Sequence, residues 1–319
     1  MADHPLFSQP LPIARYRFTC SLDAPLWLPD YAGSMLRGVF GAALRRASCM
    51  TGLPRCAPCP LYRTCPYPAL FETPPRETPL RQQFSQVPNP YIIEPPPLGA
   101  RQVGSGEPLV FGMVLVGQDA LRQLPLIVHA WQRALRHGLG RNRVPGQLQQ
   151  VQWEGEECRL ETVFDSATPQ VTEHVATVQW PKDLRPQRIT LNIETPLRLQ
   201  HQGSPLRPNQ LDLRTLALAS ARRASLMLSL HAGLTPPDDL AQLLNEASQL
   251  SEDRSDLSWH DWTRYSSRQQ QEMTLGGVIG RWSLQGAMAE IVPWLWLGQW
   301  LHLGKNSTMG MGRYRLEHA

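Results

Sequence analysis

An α+β chain built as two tandem halves of one plan is what the sequence predicts. Three observations carry that expectation. Segments that alternate at period two are interleaved with segments whose apolar residues recur at helical spacing. The order of these segments in the first half returns in the second. A helix-exit tetrapeptide, Leu139-Gly140-Arg141-Asn142, also returns with one conservative change as Leu303-Gly304-Lys305-Asn306, each time before the last strand of its half. With 319 residues, 42% of them apolar, there is material for two cores.

Leu11 to Leu22 places Ala14, Tyr16, Phe18 and Cys20 on one side and Arg15, Arg17, Thr19 and Ser21 on the other, the pattern of a half-buried strand. After a turn at Pro25 to Pro29, Asp30 can cap a helix running to about Ser48, with Met35, Leu36, Val39, Phe40, Ala43 and Leu44 as its buried stripe. Arg37 and Arg45 share one face of that helix, and Arg46 lies beside it; they read either as contacts to RNA or as ordinary surface charge. Of the 30 prolines, many fall between Pro54 and Pro108 and argue against long regular elements there, apart from a short strand at Tyr91-Ile92-Ile93. Glu107 to Gly117 reads as a buried strand. Asp119 to about Gly138 reads as an amphipathic helix that Pro125 either kinks or starts; Ile127, Ala130, Trp131, Ala134 and Leu135 form its apolar face, and His129, Arg133 and His137 its polar one. A strand at Gln147 to Glu154 follows. Strand, helix, strand, strand, helix, strand is the ferredoxin-like βαββαβ unit, the plan of RRM-like domains.

The second half repeats it: a strand at Arg188 to Leu199, a helix at Leu211 to His231, an inserted helix at Asp238 to Leu250 capped by Thr235, and a glycine-interrupted hairpin or bent strand pair at Glu272 to Leu284. A helix at Ala289 to His302, kinked or started at Pro293, and a last strand at Arg313 to Leu316 complete it. The expected domains are residues 1–160 and 185–319, the first with a cysteine insertion at 49–66 and the second with a glycine-rich loop at 304–312.

Cys49, Cys56, Cys59 and Cys65 put four thiols within seventeen residues, with Pro54, Pro58, Pro60 and Pro66 bending the chain around them. In a reducing compartment such thiols read as a tetrahedral metal site before they read as disulfides. Four thiolates would close a structural Zn²⁺ site and leave no position for water; an iron–sulfur cluster and unliganded cysteines are the alternatives. The formal charge is +4, and residues 121–146 carry five arginines, two histidines and no carboxylate. That distribution suits a polyanion held in one groove or a solvated basic face. No leader-like pattern opens the sequence, and the longest apolar run, Ile291 to Leu303, is broken by Pro293, Gly298, Gln299 and His302, short of the roughly 20 residues of a membrane span. Cytoplasmic residence without membrane contact is the expectation.

His302 to Arg315 (HLGKNSTMGMGRYR) gathers three glycines, two aliphatic hydroxyls and three cations. Glycine lets backbone N–H groups approach a phosphate closely. The order is not that of a P-loop, because Lys305 precedes the glycine pair; the alternative is a tight turn joining helix to strand.

This stretch, with Trp294-Leu295-Trp296-Leu297-Gly298, Gly276-Gly277-Val278-Ile279-Gly280 and Trp262-Thr263-Arg264-Tyr265-Ser266-Ser267-Arg268-Gln269 before it, resembles the C-terminal region of the RAMP superfamily. In particular it is similar to the sixth Cas family, the CRISPR-associated endoribonucleases that cut precursor CRISPR RNA within its repeats. Leu36-Arg37-Gly38-Val39-Phe40 resembles that family's first helix. The resemblance implies side-by-side ferredoxin-like domains with RNA across their cleft and a reaction that needs no cofactor. In it a ribose 2′-OH attacks the adjacent phosphate, leaving a 2′,3′-cyclic phosphate and a 5′-OH. Partners would be CRISPR repeat RNA, as precursor and mature product, and other Cas effector subunits. A base, an acid and a cation are needed. Many family members place the catalytic histidine on or soon after the first helix, where this chain has none between Pro5 and Val128. His302, bordering the loop, is therefore the first candidate acid or base, with Lys305 stabilising charge and His137 second. Arg37, Arg133, Arg141, Arg264, Arg268, Gly304, Gly310, Gly312 and Arg313 are the candidate RNA contacts, and Tyr265 and Tyr314 candidates to orient the ribose. A non-cleaving RNA-binding subunit of an effector complex is the alternative.

Overall fold

The computed structural model describes residues 6–75, 87–155, 158–181, 184–237, 239–266 and 271–318, the side chains of 264–274 excepted. In the first half, β1 (Ile13–Leu22) buries Ala14, Tyr16, Phe18 and Cys20 as its alternation requires and leaves Arg17 exposed. α1 (Gly33–Ser48) follows, with Ala32 rather than Asp30 at its N-cap and no side-chain cap. β2 (Tyr91–Glu94), β3 (Leu109–Val116), α2 (Leu124–His137) and β4 (Gly146–Glu154) complete the unit. The strands are antiparallel in the order β2-β3-β1-β4, and β5 (Leu160–Asp165) extends the edge beyond β4. The helix expected from Asp119 is two helices: Gln118–Arg122, then α2 with Pro125 in its first turn. An amide there has no partner within the helix, so proline costs nothing.

β6 (Arg188–Leu197), α3 (Leu213–Met227), α4 (Ala241–Gln249), β7 (Ser258–Ser266), β8 (Gln271–Gln285), α5 (Val292–Leu301) and β9 (Tyr314–His318) repeat the plan. The order β7-β8-β6-β9 is that of the first sheet, and Ser251–Asp253 pairs with the far end of β8. The expected hairpin at Glu272 to Leu284 is one strand of 15 residues; its glycines mark a slip of register between Val278 and Gly280 against β6, not a reversal of the chain. Its partner β7 was not expected. α4 begins after Leu240 without a side-chain cap, so Thr235 does not start it. α5 begins at Pro293's turn and is not kinked by it.

α1 and α2 cover one face of the first sheet. Trp131 stacks on Phe40 with ring centroids 5.1 Å apart and lies 4.5 Å from Phe111, which stacks on Phe18 at 5.2 Å. The sheet's opposite face is covered in part by the second half. Ile13, Ile92, Val114 and Val116 join the second half's core with Leu191, Ile193, Trp282 and Trp294. Burial on both faces explains why β3 is an almost continuous apolar run. Each such side chain contributes about 1.5–3 kcal/mol, so the halves are joined by a shared core. Among the described residues no helix is long and apolar enough to cross a membrane.

Candidate nucleic-acid interface

The exposed flank of α1 is the floor of a groove of about 1730 Å³. Arg37, Arg45 and Arg46 project into it from α1 at helical spacing. Arg141 enters from the turn after α2, closed by the Leu139–Val144 pairing. Among the described lining residues there are thus four arginines and no carboxylate or histidine. Aromatic rings also line it: Trp27, which is 64% exposed, Tyr67 and Phe71. The Arg37 guanidinium lies 4.4 Å from the Phe71 ring, and its buried Nε has no hydrogen-bond partner among the described residues. Arg45 donates to the Pro54 carbonyl at 2.9 Å and so ties the cysteine segment to the groove. One end is built by both halves, where Trp262 of β7 packs on Tyr31 with centroids 4.5 Å apart. Beside them Asp30 Oδ2 stands 2.8 Å from His260 Nε2. A basic channel with stacking surfaces can hold the backbone and bases of a single strand.

The glycine-rich loop lies beneath this end as packing, not as an open phosphate cradle. Gly310 and Gly312 adopt φ of 95° and 74°, and both are buried. A Cβ at Gly310 would overlap the Ile93 carbonyl and the Pro95 ring; one at Gly312 would overlap the Leu303 carbonyl. Tyr31 Oη donates to the Met309 carbonyl at 2.8 Å, and Thr195 Oγ1 to that of Gly310 at 2.7 Å. Gly304 pairs with Arg198. Lys305 is exposed next to it and does not line the groove.

His302 is fully buried. Its Nδ1 is 3.1 Å from the Gly310 carbonyl oxygen and its Nε2 3.1 Å from Glu94 Oε1, so neither nitrogen faces a ligand. Its backbone is at φ 51°, ψ 150°, with the positive φ and extended ψ that Gly138 also has, at φ 95°, ψ 149°, at the end of α2. The repeated helix exit is thus real in geometry, with histidine where the first half uses glycine. A non-glycine residue held there costs on the order of 1–3 kcal/mol, which the two ring contacts help to offset. Burial pulls the His302 pKa down, against the opposing pull of Glu94.

Glu94, 2% exposed, is the centre of an ion network between the halves. Arg15 Nε is 3.1 Å from it and Arg313 Nε 3.9 Å; Arg15 also reaches Glu154 at 3.0 Å and the Gln299 carbonyl at 2.6 Å. Arg313 pairs with Glu194 at 3.0 Å, as does Arg315 at 2.8 Å. Burial alone would raise the Glu94 carboxyl; Arg15 and Arg313, with the His302 hydrogen bond, outweigh it and hold the group well below the ordinary carboxylate value.

Of the residues expected at the site, Arg37 and Arg141 line the groove. Arg133 and His137 are exposed on the outer face of α2 and do not. Arg313 is committed to carboxylates, and Tyr314 is buried in the core. Arg264 and Tyr265 belong to β7, but their side chains, like all of Arg268, lie outside the described residues. Sequence reasoning missed Trp27 and the Asp30–His260 pair; the aromatic and β-branched residues of Trp259 to Tyr265 were the signal for the strand that carries His260.

Cys49, Cys56, Cys59 and Cys65 all line one cavity of about 20 Å³. Backbone N–H groups of Gly52 and Thr51 at the Cys49 sulfur pull that thiol's pKa down, with burial opposing. Among the described residues no three His, Cys, Asp or Glu side chains are drawn together closely enough to form a metal shell.

Residues 191–314 match the family model of CRISPR-associated endoribonuclease Cas6, and residues 11–176 match an N-terminal domain family designated AF_1859_N. No curated protein matches the chain. Among solved structures, a Cas6 (TTHB231) product complex superposes with a TM-score of 0.55 at 15% identity, covering 96% of this chain and 99% of the other. Thermus thermophilus Cas6 (TTHB231) gives 0.51 at 14%, covering 97% and 99%. A chain of a partial Cas6-RT-Cas1–Cas2 complex gives 0.58 at 16%; 98% of this chain is covered and 47% of that one. At these identities the likeness establishes a shared fold, the tandem ferredoxin-like architecture.

Proposed function

We propose, from the match of residues 191–314 to the Cas6 family model, that the chain is a Cas6-type CRISPR processing protein whose arginine-lined groove holds CRISPR repeat RNA for cleavage within the repeat. The observation that carries this reading is the groove itself: four arginines, no carboxylate among its described lining residues, and an exposed tryptophan. Phosphates pair with Arg37, Arg46 and Arg141, and Trp27 offers a stacking face to a base. The reaction is transesterification by the ribose 2′-OH, leaving a 2′,3′-cyclic phosphate and a 5′-OH, with mature guide RNA as product. A lining without carboxylates is poor in the hard oxygen ligands a catalytic divalent cation needs, which supports a metal-independent step. On this reading the protein works in the cytoplasm and passes its RNA to other Cas subunits.

The burial of His302 and the lack of histidine in the described groove lining favour a second reading, an RNA-binding subunit that does not cleave. Repeat RNA mixed with catalytic amounts of protein in EDTA separates the two. Cleavage with turnover, ending in a cyclic phosphate, is the expected result; tight binding without cleavage establishes the second reading.

We also propose that the four cysteines hold a structural Zn²⁺, supported by the one cavity they line; binding the ion would draw together side chains that stand farther apart in the described residues. Elemental analysis is expected to find about one zinc per chain, lost from the C56S/C59S variant together with protease resistance of residues 49–65. Wild-type protein carrying well under that amount would contradict the site.

A further inference from the structure

We propose that His260, positioned by Asp30, is the base that activates the ribose 2′-OH; this rests on the cleavage reading above. The two residues come from different halves and meet beside the jointly built end of the groove, outside its lining: Asp30 lies in sequence between the lining residues Pro29 and Tyr31, and His260 two positions before the lining residue Trp262. His260 precedes Trp262 by two positions on β7, so both project from the same face of the strand. Trp262 packs on Tyr31 there. The His260 side chain is 27% exposed and that of Asp30 40%, so the pair is fixed yet open to a ligand.

Other histidines are placed less well. His302 is buried between two acceptors, and His174 has one ring nitrogen on Tyr16 Oη at 2.9 Å and the other 3.0 Å from the Thr172 carbonyl oxygen. His129 and His137 stand on the outer face of α2.

The carboxylate of Asp30 can only accept, which assigns the hydrogen to His260 Nε2 and leaves the Nδ1 lone pair for a proton. Nδ1 takes the proton of the 2′-OH as O2′ forms its bond to phosphorus. The P–O5′ bond breaks with its electron pair on O5′, which takes a proton from solvent water. Asp30 balances the imidazolium until His260 returns its proton to solvent. Asp30 is therefore a positioning residue, and the products are the cyclic phosphate and the 5′-OH.

The test is single-turnover cleavage of repeat RNA by the full chain, as wild type, His260→Ala, His260→Gln and Asp30→Asn, with RNA affinity measured on each. Both His260 variants should lose about 10²–10⁴-fold in rate, the usual contribution of an acid–base group, while affinity stays within about threefold of wild type. Added imidazole should restore part of the rate to His260→Ala and none to Asp30→Asn, whose ring is present but unsupported. Wild-type rates in the His260 variants would overturn the assignment while leaving the cleavage reading intact. So would a loss of rate matched by a loss of affinity without imidazole rescue, which would make the pair a clamp between the halves. A wild-type protein that binds repeat RNA and never cuts it would overturn both readings.

Discussion

Replacing Glu94 by alanine is expected to cost about 3–5 kcal/mol of folding stability, the range for removing one partner of a buried ion pair. The carboxylate is 2% exposed, with Arg15 and His302 each 3.1 Å away and Arg313 at 3.9 Å. Without it, Arg15 keeps Glu154 and Arg313 keeps Glu194, but His302 loses its Nε2 partner while holding an unfavourable backbone angle. The glycine-rich loop depends on that ring through the Gly310 carbonyl, so the variant should also loosen the floor beneath the groove. The pH dependence has a definite sign. The folded pKa of Glu94 is depressed, so its stabilisation is fully present above the ordinary carboxylate value of 4.5 and is lost as pH falls below that value toward the folded one. Denaturant midpoints of wild type and the variant should therefore lie farthest apart near neutrality and converge in acid. Parallel curves across that range would remove Glu94 from the account.

Arg37→Ala combined with Arg141→Ala should weaken repeat-RNA binding by about tenfold or more for each lost contact, since hydrogen bonds to charged groups contribute about 1.5–3 kcal/mol. The two arginines approach the groove from different elements, α1 and the turn after α2. They should therefore reach phosphates some distance apart along the strand. Neither has a carboxylate partner among the described lining residues, so removing them leaves no buried charge behind. Folding stability should change little. Losing two phosphate contacts on a single strand should also flatten log affinity against log salt by about 1.4, at about 0.7 per contact.

The order of elements was legible in the sequence because period-two and helical spacings are local properties. Pro125 and Pro293 are read in the sequence as either kinks or helix starts, and the structure puts each in a first turn. β7 was passed over although Trp259, Trp262, Thr263 and Tyr265 favour a strand, because apolar and polar residues do not separate cleanly onto its two faces. The site was less legible. Periodicity shows that Arg133 and His137 are on the polar face of α2, but only tertiary packing decides that this face looks away from the groove. Glu94 meets Arg15 and His302 across 79 and 208 residues of chain, and Asp30 meets His260 across 230. No local pattern records such pairs. His302 was rightly tied to the loop, yet its backbone at the helix exit turns the ring into the interior.

The central claim is that RNA lies along α1, and salt-dependent affinity for repeat RNA tests it most directly with two double variants compared. Arg37→Ala/Arg141→Ala removes groove cations, and Arg133→Ala/His137→Ala removes charge from the outer face of α2. The account predicts a weaker affinity and a flatter salt slope for the first variant and wild-type behaviour for the second. The reverse pattern would place the RNA on α2 and contradict it.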